Sequence, residues 1–455
     1  MKKLAGDQSI DFRANARRAL QNPTLRKAMR HATESFRKKR NDAIVGIPFE
    51  EWREQASELR KRVIGDISGY VDEFAANATK RGAIVHRART AEGARDLISS
   101  ILKDNGVKTI VKSKSMVTEE IHLNKHLADL GFRVVETDLG EYIIQIAGET
   151  PSHIIVPAIH RSREQIGQLF CEKLGCDFSD DPAILTDTAR KLLRQEFLTA
   201  DAAISGANCY IADTGSIVLF TNEGNGRMVT NFPPLHIAVT SIEKALPSFK
   251  DLPLIMRILP RSATGQVLTS YLSIISGQRR PDSATDTKKL HIVLLDNGRS
   301  RVADSPYREI LKCIKCGACM NVCPVYGMIG GHAYASTYPG PMGVILSTLL
   351  NGLENAHPLL DATTLCGACA EACPVKVPLL KLLYELREMR VAAGHTDTIE
   401  AVGMKGFGIA AKSPQFFQMA QASLKTLWPL GGLLAPVTVN RLPKPVTRTF
   451  RRRFS

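Results

Sequence analysis

The sequence predicts an α/β protein with a helical N-terminal segment, a mostly parallel sheet domain and an α-helical, cysteine-rich module. Apolar residues recur at helical spacing before residue 80, and short β-rich runs alternate with helical windows from about residue 82. Seven of the ten cysteines lie between residues 313 and 373. We therefore expect domains at residues 1–80, 81–299 and 300–390, followed by a basic C-terminal extension at 391–455.

The N-terminal segment carries two helix signals. Asn22 followed by Pro23 is a typical helix start, because Asn caps free N–H groups and Pro fits the first turn. Apolar residues at intervals of three and four over residues 52–74 then predict one amphipathic helix.

The middle of the chain alternates predicted strands and helices, which favours a mostly parallel sheet covered on both faces. The turn at residues 213–215, Asp-Thr-Gly, predicts a hairpin. The predicted strands lie at residues 83–86, 109–112, 133–137, 142–147, 153–157, 209–213, 216–221, 236–240 and 291–295.

Two loops that follow predicted strands carry candidate substrate-binding residues. Ligands of open α/β sheets gather at the carboxyl ends of the strands. Lys112 and Lys114 offer cations where a strand leads into a helix, and Glu223 and Arg227 flank a pair of glycines after another strand. An ordinary helix cap or turn would explain either loop equally well, and no catalytic residue is assigned.

The cysteines form two runs, Cys313-x2-Cys316-x2-Cys319-x3-Cys323-Pro324 and Cys366-x2-Cys369-x3-Cys373-Pro374. This is the spacing of bacterial-type iron–sulfur loops, in which the cysteine before proline ligates the other cluster. Zinc sites or disulfides are the alternative, but the spacing suits neither. We expect one [4Fe–4S] cluster on Cys313, Cys316, Cys319 and Cys373, and a second cluster on Cys323, Cys366 and Cys369.

The second cluster has only three cysteines, because Thr363 occupies the position that Cys313 has in the first run. Either it is a [3Fe–4S] species, or it is a [4Fe–4S] cluster whose fourth iron takes a hydroxyl, water, substrate atom or partner ligand. Two clusters make electron transfer the first hypothesis for function. No dinucleotide or flavin motif stands out, so we do not expect the chain to perform hydride transfer alone.

The formal charge of +15 is concentrated at the two ends of the chain. Residues 1–40 contain 12 Lys/Arg against 3 Asp/Glu, and residues 441–455 contain 6 against none. These ends contain few aromatic residues, Phe36, Phe450 and Phe454 among them, so we expect an acidic protein partner and no nucleic acid. The basic C-terminus could also make a peripheral membrane contact. Because the sequence has neither a secretory signal nor an apolar run of membrane length, it predicts a cytoplasmic protein. Peripheral association with the inner face of the membrane is the alternative.

Four motifs resemble the lactate-utilisation (LUD) domain: VKSKSMVTEE at 111–120, DLGEYIIQ at 138–145, PAIH at 157–160 and DTGSI at 213–217. With the cysteine runs, residues 20–390 resemble the lactate-utilisation iron–sulfur protein B family. The resemblance implies a sheet domain similar to sugar-phosphate isomerase and coenzyme A transferase folds, beside a two-cluster ferredoxin-like module. It also implies a part in oxidising L-lactate to pyruvate, with other subunits of an oxidoreductase complex and a downstream electron acceptor. The family pattern has seven cysteine ligands, so Thr363 does not depart from it.

Two other classes of function remain open at this point. The LUD-like domain could itself bind and turn over lactate or another small carboxylate through Lys112, Lys114, Glu223 and Arg227. The chain could also be an iron–sulfur regulatory protein. The resemblance favours a non-catalytic electron-transfer subunit over both.

Overall fold

The computed structural model describes residues 10–277, 288–396, 398–419 and 422–423. The chain divides into two compact units, Met1–Glu388 and Met389–Ser455. Both sheets and both cysteine runs belong to the first unit. Within the described ranges, no helix combines the length and the apolar character that crossing a membrane requires.

The α-helices in the described part of the chain are listed here in order. They are α1 (Phe12–Leu20), α2 (Pro23–Ile44), α3 (Phe49–Gly65), α4 (Ile67–Lys80), α5 (Ala91–Asp104), α6 (Met116–Glu120), α7 (Leu123–Asp129), α8 (Leu139–Ala147), α9 (Arg163–Leu174), α10 (Pro182–Thr199), α11 (Asn225–Asn231), α12 (Leu252–Thr264), α13 (Arg299–Ala303), α14 (Ala318–Asn321), α15 (Tyr326–Ile329), α16 (Gly340–Asn351), α17 (Leu353–Ala356), α18 (Ala368–Ala372), α19 (Leu379–Ala392) and α20 (Thr398–Ala411).

The strands form two sheets. They are β1 (Ile84–Ala88), β2 (Thr109–Lys112), β3 (Arg133–Glu136), β4 (Ala202–Gly206), β5 (Cys209–Ile211), β6 (Ser216–Thr221), β7 (Leu235–Ser241), β8 (Ala245–Leu246), β9 (Tyr271–Ile275) and β10 (Lys289–Leu295).

The N-terminal segment is helical, as the sequence predicts. Asn22 caps α2, because its side-chain oxygen accepts the N–H of Leu25 at 3.0 Å. The single helix predicted over residues 52–74 is wrong: α3 ends at Gly65 and α4 begins two residues later. Asp66 causes the break, since its side chain accepts the N–H of Gly69 at 2.9 Å and starts a new helix.

The larger sheet confirms the mostly parallel architecture. Its strand order is β1-β10-β7-β4-β2-β3, and every neighbouring pair is parallel. The strand β4, with the sequence Ala-Ala-Ile-Ser-Gly, was not predicted, because small residues carry a weak strand signal. Its five residues are all buried between β2 and β7, so tertiary packing selects the strand.

Two predicted strands are wrong. Residues 142–147 belong to α8, because Asp138 accepts the N–H groups of Gly140 and Glu141 and starts a helix despite the β-rich sequence. Residues 153–157 form no strand, because the N–H groups of Ile155 and Val156 donate to His153 Nδ1 instead of to a neighbouring strand.

The smaller sheet has the order β8-β5-β6-β9. The strands β5 and β6 pair antiparallel across residues 213–215, which confirms the predicted hairpin. Gly215 in this turn has φ +63°, and a side chain there would come within 2.2 Å of the backbone nitrogen of Ala78 in α4. The hairpin therefore packs tightly on the N-terminal helices.

A buried ion-pair network joins the sheet domain to the cysteine-rich module. The guanidinium of Arg299, fully buried, donates to both carboxylate oxygens of Glu120 at 2.8 and 2.7 Å. Its Nε lies 2.8 Å from the Glu243 carboxylate. Tyr338, in the loop between the cysteine runs, donates its hydroxyl to Glu120 at 2.7 Å.

We predict that Arg299→Met destabilises the first unit by about 3–5 kcal/mol, because it removes the buried guanidinium that two buried carboxylates share. The control is Arg133→Met, which removes an exposed pair with Glu196 and should cost less than about 1 kcal/mol. Anaerobic thermal unfolding followed by circular dichroism measures both. Equal shifts for the two variants would contradict the structural role of this network.

Candidate functional site

The first cysteine run folds into a tight loop that leads into α14. Two left-handed positions, Lys315 at φ +59° and Gly317 at φ +76°, turn the backbone. The N–H of Lys315 donates to Cys313 Sγ at 3.4 Å. These turns place Cys313, Cys316 and Cys319 around one cavity.

The second run follows the same backbone path into α18. Its left-handed positions are Leu365 at φ +54° and Gly367 at φ +85°. The N–H of Leu365 donates to Thr363 Oγ1 at 3.1 Å, so the hydroxyl accepts the bond that a cysteine sulfur accepts in the first run. The two loops are therefore structural repeats in which threonine replaces the first cysteine.

Each of two cavities is lined by cysteines from both runs. The first is lined by Cys313, Cys316, Cys319 and Cys373. The second is lined by Cys323, Cys366 and Cys369, together with Thr363. The structure thus brings together the same two groups of cysteines that the sequence spacing predicts. That these cysteines bind iron stays a prediction. The other three cysteines, Cys171, Cys176 and Cys209, are not among the lining residues.

Burial disfavours the thiolate form of the buried cavity cysteines. Burial, with the nearby cysteine sulfurs adding to it, raises the pKa of Cys369 to about 12 and that of Cys373 to about 11. The pKa values of Cys316 and Cys319 rise for the same reasons. Thiolates can share such a space only with positive charge between them, which bound iron would supply once the thiol protons were lost. The donor set therefore fits a soft, multi-atom iron–sulfur group.

Cys366 differs from the other cavity cysteines because it is exposed. Its pKa is lowered, first by a hydrogen bond from the backbone N–H of Ala368 and then by one from the Thr364 side chain. The second cavity therefore has one cysteine that faces solvent.

Arginines from α3 fix the ends of both cysteine runs. Arg53 donates through Nε and Nη2 to the carbonyl oxygen of Cys373, at 3.1 and 2.9 Å. Arg60, which is buried, donates to the carbonyl oxygens of Leu311 and Lys312, just before the first run, at 3.0 and 3.1 Å. No motif in the sequence marks these arginines, since the carbonyl groups that they bind are distant in the chain.

His153 supports the first loop from the sheet domain. Its Nδ1 accepts the N–H of Ile155 at 2.9 Å, so Nε2 carries the proton and donates to Asn321 Oδ1 at 3.2 Å. Burial lowers the pKa of His153 to about 3, which keeps the ring neutral. A methyl group on Gly317 would approach His153 Cε1 to 3.3 Å. His153 therefore holds the loop in place, a role that an isolated histidine in the sequence does not reveal.

The two candidate lysines after β2 are both close to carboxylates. Lys112 is fully buried, and its Nζ lies 2.5 Å from Glu136 Oε1 and 3.1 Å from Glu119 Oε1. Burial opposes the charge of Lys112, but these carboxylates outweigh it and raise its pKa above the usual value. Lys114 Nζ lies 3.6 Å from Glu141 Oε1.

The two candidate residues after β6 also have protein partners. Glu223 accepts the N–H of Leu139, at the start of α8, at 3.2 Å. The guanidinium of Arg227 lies 5.0 Å from the centre of the Tyr271 ring. Substrate binding by these residues and by the two lysines stays a prediction.

Comparisons with known proteins match two separate parts of the chain. A LUD domain model matches residues 71–295, and a 4Fe-4S dicluster domain model matches residues 309–377. The lactate utilization protein B of Bacillus licheniformis is 44% identical over 90% of this chain and 86% of its own. That of Shouchella clausii is 42% identical over 97% and 95%, and that of Bacillus subtilis 43% identical over 90% and 86%.

One solved structure, a DUF162 family protein from Deinococcus radiodurans, covers 50% of this chain and 98% of its own at 14% identity. Its TM-score of 0.29 is too low to support any conclusion.

The parallel sheet and the two cysteine-lined cavities define an iron–sulfur protein built on a LUD domain. At this level of identity and coverage, the chain belongs to the lactate utilization protein B family, which confirms the resemblance.

We predict that Gly317→Ala is more harmful than Gly367→Ala. Both substitutions place a side chain at a left-handed φ, which costs about 1–2 kcal/mol. Only Gly317→Ala also presses on His153, which adds about 1–3 kcal/mol of overpacking, whereas the nearest atom at Gly367 lies 3.7 Å away on Leu380. The unfolding midpoint and the iron recovered per chain under anaerobic conditions measure this difference. A loss in Gly367→Ala that equals or exceeds the loss in Gly317→Ala would contradict it.

Proposed function

We propose that the chain is an electron-transfer subunit that serves the oxidation of L-lactate to pyruvate. The observation that carries the proposal is the pair of cavities, each lined by cysteines from both runs. The name shared by the curated relatives, lactate utilization protein B, supports the choice of lactate.

In this proposal each cavity holds one cluster. The cysteines at the first cavity hold a [4Fe–4S] cluster and the three at the second hold another, and such groups exchange single electrons when bound. Backbone N–H groups stabilise the negative charge on sulfur. Tyr326 donates to Cys323 Sγ at 3.5 Å, and Val377 donates to Cys373 Sγ at 3.3 Å.

The surroundings make the two sites unequal. Lys315, beside the first cavity, is half-buried with its Nζ 4.4 Å from the centre of the Tyr338 ring and 3.8 Å from Met342 Sδ. The matching position in the second loop is the uncharged Leu365. A cation in a low-dielectric setting favours the more negative, reduced state, so Lys315 makes electron uptake at the first site easier than an uncharged residue there would.

Exposure suggests where electrons cross the protein surface. The cysteines of the second cavity include the exposed Cys366, whereas Cys316, Cys319 and Cys373 at the first are buried. We infer that electrons enter or leave through the second site.

The chemistry of lactate requires further components. Oxidation of L-lactate to pyruvate releases two electrons and two protons, and two one-electron sites can take the electrons singly. Lys112 and Arg227 already interact with Glu136 and Tyr271, so we do not route lactate through them. We therefore propose that partner subunits perform the reaction at the hydroxy acid and that a downstream acceptor receives the electrons.

We predict that the purified, iron-loaded chain loses its visible absorbance with dithionite but not with L-lactate alone. The reason is that the clusters accept electrons while the hydroxy-acid chemistry belongs to a partner. Anaerobic absorbance titration, with pyruvate measured in parallel, is the test, and D-lactate is the control substrate.

Bleaching by L-lactate alone, with one pyruvate formed for every two electrons taken up, would contradict this division of labour. It would indicate that the LUD domain is itself the lactate site. Lys114→Met should then abolish the bleaching while leaving reduction by dithionite unchanged.

A further inference from the structure

Thr363 lies where the first cysteine run has its leading cysteine. The second run reads Thr363-x2-Cys366-x2-Cys369-x3-Cys373, with the spacing of Cys313-x2-Cys316-x2-Cys319-x3-Cys323. Spacing alone does not establish a ligand, because a threonine at this point could equally face away from the cavity.

The structure removes that ambiguity. Leu365 and Lys315, two residues after Thr363 and Cys313, have φ +54° and +59°. In each loop this residue donates its N–H back to the side chain two positions earlier, to Thr363 Oγ1 at 3.1 Å and to Cys313 Sγ at 3.4 Å. The threonine oxygen therefore stands in the place of the cysteine sulfur.

Few other side chains at the second cavity can donate to iron. Its described lining consists of Cys323, Pro324, Pro341, Thr363, Thr364, Leu365, Cys366, Gly367, Cys369, Leu380 and Leu383. Apart from the cysteines, only Thr363 and Thr364 in this lining have a side-chain oxygen or nitrogen. The Thr364 side chain already makes a hydrogen bond that stabilises the Cys366 thiolate, and Thr364 is exposed.

We propose that the hydroxyl oxygen of Thr363 is the fourth protein ligand of the second cluster. One lone pair of the oxygen accepts the N–H of Leu365, and the other is available to iron as a neutral donor, so no bond breaks and no electron moves. This inference rests on the proposed function, because it presumes that the other three ligands are Cys323, Cys366 and Cys369.

The inference has a chemical consequence. A neutral oxygen binds iron more weakly than a thiolate does, so the iron at Thr363 is the one that leaves first. The second cluster is thus a four-iron group with one exchangeable corner.

The test compares variants that were reconstituted anaerobically, by iron analysis and electron paramagnetic resonance. The wild type and Thr363→Ser should both contain about eight irons per chain, four in each cluster. Thr363→Val, which keeps the shape but removes the oxygen, should contain about seven and give the signal of an oxidised three-iron cluster.

Two further variants sharpen the comparison. Thr363→Cys should keep about eight irons and resist air oxidation, because a thiolate then completes the second cluster. Thr364→Val is the matched control and should retain the wild-type iron content. The signal of the first cluster should persist in every variant, which separates a local effect from misfolding.

Two results would overturn the assignment of Thr363. One is a Thr363→Val protein that keeps about eight irons and the wild-type spectrum. The other is a wild type that already has the three-iron signal before any exposure to air. A wild type without iron would be a different failure, because it would overturn the proposed function and every ligand assignment with it.

Discussion

The constraint on which the module depends is reciprocity between the two cysteine runs. The cavity of the first run includes Cys373, and the cavity of the second run includes Cys323, so neither site is complete without the other. The segment between the runs, which contains α16 and α17, must therefore return the chain to the first run. Folding of this module and assembly of its metal sites are therefore one process, since sites made from distant residues are absent in an unfolded chain.

The rest of the first unit acts as a scaffold that holds the runs in register. Arg53 and Arg60 of α3 bind carbonyl oxygens at Cys373 and Lys312, and His153 supports the first loop from the sheet domain. The Arg299 network ties the same domain to the loop between the runs. The LUD domain thus supports the loops that line the two cavities.

The sequence predicted the features that depend on local chemistry and missed those that depend on distant contacts. Cysteine spacing identified both groups of cavity residues, and the cap at Asn22 and the alternation of strands and helices predicted much of the fold. The strand β4 was missed because burial, not propensity, selects it, and residues 142–147 became a helix because Asp138 caps them. Thr363 interrupts the cysteine pattern of the sequence, but only the hydrogen bond from Leu365 shows that its oxygen lies where Cys313 has its sulfur.

The most direct test of reciprocity is the electron paramagnetic resonance spectrum of reduced Cys373→Ser. Two reference variants identify the spectra of the two clusters, Cys316→Ser for the first and Cys369→Ser for the second. Each of these cysteines would bind the same cluster whether the runs interlock or bind separately. Interlocked runs predict that the spectrum of Cys373→Ser matches that of Cys316→Ser, with the second cluster unchanged. A spectrum that matches Cys369→Ser would mean that each run binds its own cluster, and it would contradict the central claim.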